Sequence, residues 1–165
     1  TEVTAVPISN AGRGECLVAG TPIWTDLGLI PVEELSVGDR LLCRDPKSGR
    51  LEYQTVLQPT QRPPTPTFRI SLEGETIQAS GGHFFWVAGR GWTKTRDLQA
   101  GMGIRTARGS SAAVLVKGIE PAESVPLFNV VVDQNSNYFV GQSQILSHDS
   151  TIPDRRSRSI SNRAE

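Results

Sequence analysis

The sequence predicts an all-β domain, and three observations carry that expectation. Sixteen glycines and eleven prolines in 165 residues cut the apolar stretches short, which favours brief strands over long helices. Phe68-Arg69-Ile70-Ser71-Leu72 alternates apolar and polar with period two, the pattern of a half-buried strand. Third, segments recur in order. Leu35-Ser36-Val37-Gly38-Asp39-Arg40-Leu41 is echoed by Leu98-Gln99-Ala100-Gly101-Met102-Gly103-Ile104, 63 residues on. Phe68 to Leu72 is echoed by Phe128-Asn129-Val130-Val131-Val132, 60 residues on, and a strand ending at His83 by one ending at His148, 65 residues on. A repeat this long is not a solenoid period; it points to two copies of one β unit about a pseudo-two-fold axis.

Residues 1–15 are polar and aperiodic and read as an N-terminal flanking segment. From Cys16 the pattern is strand-like: Leu17-Val18-Ala19 and Ile23-Trp24-Thr25, with Gly20-Thr21-Pro22 as a break. Asp26-Leu27-Gly28 turns before Leu29-Ile30, and Pro31 to Leu35 suits one helical turn. Arg40 to Arg44 and Leu51 to Leu57 form a hairpin across the Asp45-Pro46-Lys47-Ser48-Gly49 turn. Gln58 to Thr67 is proline-rich and is expected to be a loop or crossover, since proline cannot donate to a central ladder. Phe68 to Leu72, Thr76 to Ser80, the aromatic run Phe84 to Val87, Ala113 to Ile119 and Phe128 to Val132 are further strands. The domain is expected to span 16–149, and polar, basic 150–165 to be a flexible C-terminal flanking segment.

Composition excludes several classes. Seventeen basic residues balance 17 acidic ones, so no net field recruits nucleic acid or an anionic membrane. No stretch reads as a signal peptide or a membrane span, and a chain beginning Thr-Glu-Val has the look of an excised fragment, which leaves its compartment open. Cys16, Cys43, His83 and His148 are scattered with no close ligand pair, so neither metal nor cofactor is expected. Cys43 reads as a core residue, with a disulfide to Cys16 as the other reading.

The residues that carry chemistry lie at the two ends. Cys16 stands where the polar lead-in meets the first apolar run, either as an inert thiol or as a nucleophile toward the Glu15 carbonyl. Attack there converts an amide to a thioester, which needs a poised thiol, an acid for the Cys16 nitrogen, and strain or oxyanion donors. A histidine suits the acid's task, and His83, after Ser80-Gly81-Gly82, has glycines that admit close backbone approach and a serine that can hydrogen-bond it. At the far end, an Asp149 side chain can reach its own carbonyl through a five-membered ring; His148 can assist, and Ser150 offers a hydroxyl to accept an acyl group.

Cys-Leu-Val-Ala-Gly-Thr-Pro-Ile from Cys16, Ser-Gly-Gly-His before an aromatic run, and Tyr138-Phe139-Val140-Gly141 leading to His148-Asp149-Ser150 resemble the hedgehog–intein (Hint) superfamily, closest to its bacterial intein-like members. The resemblance covers Cys16 to Asp149 with every motif in family order. It implies a compact, horseshoe-like all-β fold with pseudo-two-fold symmetry, and self-processing without a cofactor. By position, it makes Cys16 the nucleophile of an N–S acyl shift, His83 the acid, and Ser80 the occupant of a slot often held by threonine. Asn129 falls where many members carry aspartate, His148 is the penultimate histidine, Asp149 the cyclising residue and Ser150 the first downstream residue.

Three departures stand out: Asp149 for the usual asparagine, neutral Asn129 for aspartate, and Ser136 where relatives often have another histidine. All bear on the C-terminal step or on coupling. The expectation is therefore N-terminal cleavage at Glu15–Cys16, slower C-terminal cleavage after Asp149, and inefficient splicing to Ser150. The substrate is the chain's own flanking segments and the protein a monomer. Two other readings remain: a Hint module that has lost activity and serves as a structural or binding domain, and a cysteine hydrolase acting on other chains.

Overall fold

Turns, many of them marked by glycine, divide the chain into strands, most of them short. The protein is described here by a computed structural model, which covers residues 16–153 and the backbone of an upstream strand, β1 (Val6–Pro7). The remaining strands are β2 (Leu17–Val18), β3 (Pro22–Thr25), β4 (Gly28–Pro31), β5 (Arg40–Arg44), β6 (Leu51–Leu72), β7 (Glu75–Ser80), β8 (Phe84–Val87), β9 (Gly91–Lys94), β10 (Gly103–Thr106), β11 (Gly109–Leu115), β12 (Gly118–Val132), β13 (Asn137–Val140) and β14 (Ile145–His148). Helical geometry among the described residues is confined to two 3-10 turns, Val32–Glu34 and Thr95–Asp97. One sheet runs β11-β10-β8-β14-β13-β3-β5-β6-β12-β2-β7, with β4 on β3 and β9 on β8. Its pairings are antiparallel except that β1 lies parallel to β6 at Thr60 and Gln61. The all-β class expected from the sequence is the class observed.

The duplication is visible bond by bond. Leu35 N–H donates to the Val32 carbonyl and Leu98 N–H to that of Thr95. Gly38 (φ +97°) donates to Val56 O, and Gly101 (φ +96°) to Val116 O. The hairpin pairs Ile23↔Ile30 and Trp24↔Leu29 have counterparts in Phe85↔Thr93 and Trp86↔Trp92. The β6–β12 ladder is symmetric about itself: Pro59↔Val130 mirrors Ile70↔Ile119, Thr60↔Asn129 mirrors Arg69↔Glu120, and Thr65↔Val125 lies on the axis. The third echo differs from the other two. Val32 N–H bonds Thr21 O as Thr95 N–H bonds His83 O, so Thr21, not His148, is the positional twin of His83.

Two segments depart from the sequence reading. Gln58 to Thr67 is no loop but the middle of the 22-residue β6, paired with β12. Proline's fixed φ falls within extended geometry and its carbonyl still accepts. The ladder slips on both sides of Thr65↔Val125, and Pro63, Pro64 and Pro66 fall at those irregularities, outside the paired register. The run Ala113 to Ile119 is divided at Val116 and Lys117, between β11 and β12.

β13 and β14 are buried along their whole length, so neither shows period two. Around them the main core gathers Leu17, Ile23, Phe85, Ile104, Val130 and Tyr138 among others, and Phe84, Trp92, Phe139 and Leu146 form a second cluster. Each large apolar side chain fully buried there contributes about 1.5–3 kcal/mol.

The loop between β13 and β14 aims the C-terminal residues, and Gly141 (φ +77°) is its hinge. A Cβ there would lie 2.8 and 3.0 Å from the Glu75 carboxylate oxygens and 3.0 Å from Ile77 Cδ1. That carboxylate cannot swing away without releasing the Gln142 and Ser143 N–H groups it accepts at 3.1 and 2.6 Å. Gly141→Ala is expected to destabilise the fold by about 1–3 kcal/mol, measured by urea unfolding.

Candidate active site

Cys16 enters the structure between two strands. On one side Leu17 pairs with Ala79 of β7, on the other with Phe128 of β12. Ser80, at the end of β7, holds the cysteine backbone three times: its N–H donates to Cys16 O at 3.0 Å, its hydroxyl accepts Cys16 N–H at 3.0 Å, and the same hydroxyl donates to Cys16 O at 3.2 Å. One hydroxyl can do both, having a proton and two lone pairs. The nitrogen of the Glu15–Cys16 bond is thus fixed on Ser80; Glu15 itself lies outside the described residues.

The chain turns at once after Ser80. His83 N–H donates to Ser80 O at 3.1 Å, and His83 O accepts both Thr95 N–H and the Thr95 hydroxyl at 2.8 Å. The ring is fully buried, edge-on to Phe85 at 4.9 Å, with Nε2 2.6 Å from Ser147 Oγ. Ser147 sits on β14 beside His148, so this contact ties the N-terminal centre to the C-terminal one.

At the C-terminal end His148 packs edge-on against Trp92 at 4.8 Å. Its Nδ1 lies 3.2 Å from Asp149 O and 3.5 Å from Asp149 Oδ1. Asp149 is buried with both carboxylate oxygens occupied. Oδ2 accepts Val132 N–H at 2.8 Å; Oδ1 accepts Thr151 N–H at 2.9 Å and the Thr151 hydroxyl at 2.5 Å. Asp149 N–H donates to Ser136 O, so Ser136 (φ +57°) contributes a carbonyl at this junction. Ser136 also lines a cavity of about 290 Å³ with His148, Trp92 and Arg44. Ser150 is turned onto β12: its N–H and its hydroxyl both donate to Val130 O, at 2.9 and 2.7 Å, and Thr60 Oγ1 is 3.2 Å from its Oγ.

Asn129 lies between the two ends. Its Oδ1 accepts the Tyr138 hydroxyl at 2.6 Å and Val130 N–H at 2.8 Å. Burial pushes the Tyr138 phenol well above its ordinary range; a hydrogen bond with the Ser147 side chain works the other way, and Asp149, Cys16 and Cys43 add to the upward push. Tyr138 is therefore a neutral donor set among Ser147, Asn129 and both chemical ends. All seven positions picked from sequence within the described residues, Cys16, Ser80, His83, Asn129, His148, Asp149 and Ser150, are buried in one connected region. The sequence reading missed Tyr138, Ser147, Thr60 and Thr151. A tyrosine beside Phe139 and Val140 in a buried strand and a serine beside His148 were the available signals, because a buried hydroxyl must find a partner.

Cys43 donates its thiol hydrogen to Leu41 O at 3.2 Å, burial pushes its pKa far up, and no disulfide joins it to Cys16. Among the described residues no group of three or more His, Cys, Asp or Glu is placed to hold a metal ion, and no helix is long and apolar enough to cross a membrane.

The sequence model of the pretoxin HINT domain family matches residues 23–150. The chain belongs to this Hint family. Solved structures agree: a bacterial intein-like domain from Clostridium thermocellum is 28% identical, with a TM-score of 0.77 over 82% of this chain and 99% of that one. The Msm DnaB1 intein splicing domain, solved with zinc bound, is also 28% identical (TM-score 0.67, 80% and 98% covered). A DnaB intein from Synechocystis sp. PCC 6803, at 16% identity, shares the fold (TM-score 0.72, 81% and 97% covered). No curated protein matches the sequence. Membership makes this Hint domain a self-processing module in general terms.

Burial holds His148 below the ordinary histidine range, with the Asp149 charge and backbone hydrogen bonds pulling partly back. The unfolded chain takes up this proton near pH 6.5, the folded chain only at lower pH. Between those values the unfolded state binds more protons, so folded-state stability falls as pH falls. Wild type is expected to lose more unfolding free energy than His148→Gln from about pH 7.5 to about pH 5 in denaturant titrations; equal losses would contradict the assignment.

Proposed function

We propose that this Hint domain cleaves its own chain at Glu15–Cys16 through an N–S acyl shift, with C-terminal cleavage after Asp149 slower and splicing to Ser150 inefficient. The observation that carries the reading is the Ser80 hydroxyl on the Cys16 nitrogen, in the same turn that delivers His83. The Cys16 sulfur attacks the Glu15 carbonyl carbon, the carbon–nitrogen bond breaks, and the nitrogen takes a proton. A thioester then joins Glu15 to the cysteine sulfur, while Cys16 gains a free amine. His83, carried on the turn that holds the Cys16 nitrogen, delivers that proton while the Cys16 thiol releases its own to solvent, a contribution of roughly 10²–10⁴-fold. Water or an added thiol then releases the upstream segment.

The C-terminal step works against its surroundings. The Asp149 carboxylate must attack its own carbonyl carbon to form a cyclic anhydride, while the Ser150 nitrogen leaves with a proton from water and a second water opens the ring. His148 Nδ1–H polarises that carbonyl at 3.2 Å. Both carboxylate oxygens already accept hydrogen bonds, and the Ser150 hydroxyl is committed to Val130 O, which disfavours acyl transfer to it. Asn129, neutral and engaged by Tyr138, offers no base. The substrate in this reading is the flanking polypeptide on either side of 16–149, the protein acts as a monomer, and a domain described by its family as a pretoxin module is suited to releasing one segment from another.

The deciding experiment weighs every product of a chain tagged at both ends by mass spectrometry. Cleavage at Glu15–Cys16 is expected to accelerate under thiol or hydroxylamine and to vanish in Cys16→Ala. A chain that stays whole for days under thiol would instead make the domain a Hint module without activity. A second outcome concerns Asp149→Asn. An amide Nδ2 in place of Oδ2 meets Val132 N–H donor to donor, which frees the side chain, and it cyclises to a succinimide rather than an anhydride. C-terminal cleavage in the same assay is expected to rise by about tenfold or more, the equivalent of one charge-assisted hydrogen bond of roughly 1.5 kcal/mol.

A further inference from the structure

Thr151 lies beyond the residues any family motif reaches, yet it makes two of the three hydrogen bonds to the Asp149 carboxylate. We infer that Thr151, the second residue of the downstream segment, is a specificity-determining latch that sets how fast the chain is cut after Asp149. The inference rests on the reading of Asp149 as the cyclising residue.

To attack its own carbonyl carbon, a carboxylate oxygen must turn a lone pair toward it. Oδ1 has its lone pairs directed to Thr151 N–H at 2.9 Å and Thr151 Oγ1 at 2.5 Å, and Oδ2 is drawn the other way by Val132 N–H at 2.8 Å. The Asp149 side chain is fully buried, so water does not compete for these donors, and charge-assisted bonds in such a place are strong. Of the three donors, only the Thr151 hydroxyl is a side chain, and so only it depends on which residue follows. The backbone N–H at that position is supplied by any residue except proline.

The latch spans the bond to be broken. Asp149 lies on one side of the Asp149–Ser150 peptide and Thr151 on the other, so the hydrogen bonds close a ring across the scissile bond. The departing segment thereby restrains its own release. Ser150, turned onto Val130 O, holds the backbone between them in place. A downstream sequence with a hydroxyl at its second position keeps the junction closed; one with an apolar side chain there leaves Oδ1 a single donor and lets the carboxylate turn.

The test is made in the full chain carrying Cys16→Ala, so that only the C-terminal junction reacts, with products weighed over time at neutral pH. The parent chain is compared with Thr151→Val, Thr151→Ser and, separately, Asp149→Asn. Thr151→Val keeps the branched shape and loses the hydroxyl; it is expected to cleave about three- to tenfold faster than the parent. Thr151→Ser restores the hydroxyl and is expected to cleave at the parental rate, an outcome that loosened packing alone would not give. If Thr151→Val is no faster while the parent or Asp149→Asn cleaves, the latch is overturned and the Asp149 reading stands. If no chain in the set cleaves at this junction, the C-terminal step falls, and the latch with it.

Discussion

The pairing of β12 with β6 is the constraint on which the site depends. Four of the last five residues of β12 touch both ends of it. Phe128 pairs with Leu17, next to Cys16; Asn129 takes the Tyr138 hydroxyl; Val130 O accepts both donors of Ser150; and Val132 N–H binds Asp149. None of these contacts is local in sequence. They exist because β12 is held in register along β6, from Gly118↔Ser71 to Val132↔Val56, across an axis at Thr65↔Val125. A one-residue slip would turn Asn129 away from Tyr138 and offer Ser150 an N–H in place of a carbonyl. The prolines of β6 are compatible with this role because the ladder is already irregular where three of them lie.

The fold was legible in the sequence wherever a pattern reported one face. Ile70, Ser71 and Leu72 run buried, exposed, buried as they alternate apolar and polar, and the glycine that follows each 3-10 turn recurs 63 residues later in the same left-handed conformation. Gln58 to Thr67 was not legible, because proline count signals a missing donor but cannot say whether the partner strand needs one. The third echo failed for a related reason. His83 and His148 each flank a strand, but equivalence in a duplicated sheet is set by pairing partners, and those match His83 to Thr21.

Within the site, the groups proposed to do chemistry announced themselves and the groups that hold them did not. Cysteine at the first apolar run, histidine after glycines, and His-Asp-Ser at the end are rare enough to be noticed. Tyr138 and Ser147 look like ordinary strand residues. Their importance follows from burial: with the Tyr138 and Ser147 side chains inside the protein, each hydroxyl must find a partner, and the partners present are Asn129 and His83. That requirement joins two centres 64 residues apart in sequence through a 2.6 Å contact between His83 and Ser147.

The same burial separates the two ends chemically. At Cys16 the backbone is held by the neutral Ser80 hydroxyl and the Ser80 N–H. At Asp149 three N–H or O–H donors converge on an anion, the arrangement that stabilises a carboxylate as a ground state. Catalysis is gained only from contacts that strengthen toward the transition state. Contacts already complete around a resting carboxylate weaken as its charge flows into the new bond, so they raise the barrier. An asparagine at this position would ask only for a neutral hydrogen-bond set; the aspartate receives three donors, which in the proposed reaction slow it. The departure from asparagine and the environment that surrounds it therefore act in the same direction, and both support the proposal that the N-terminal junction is the competent one.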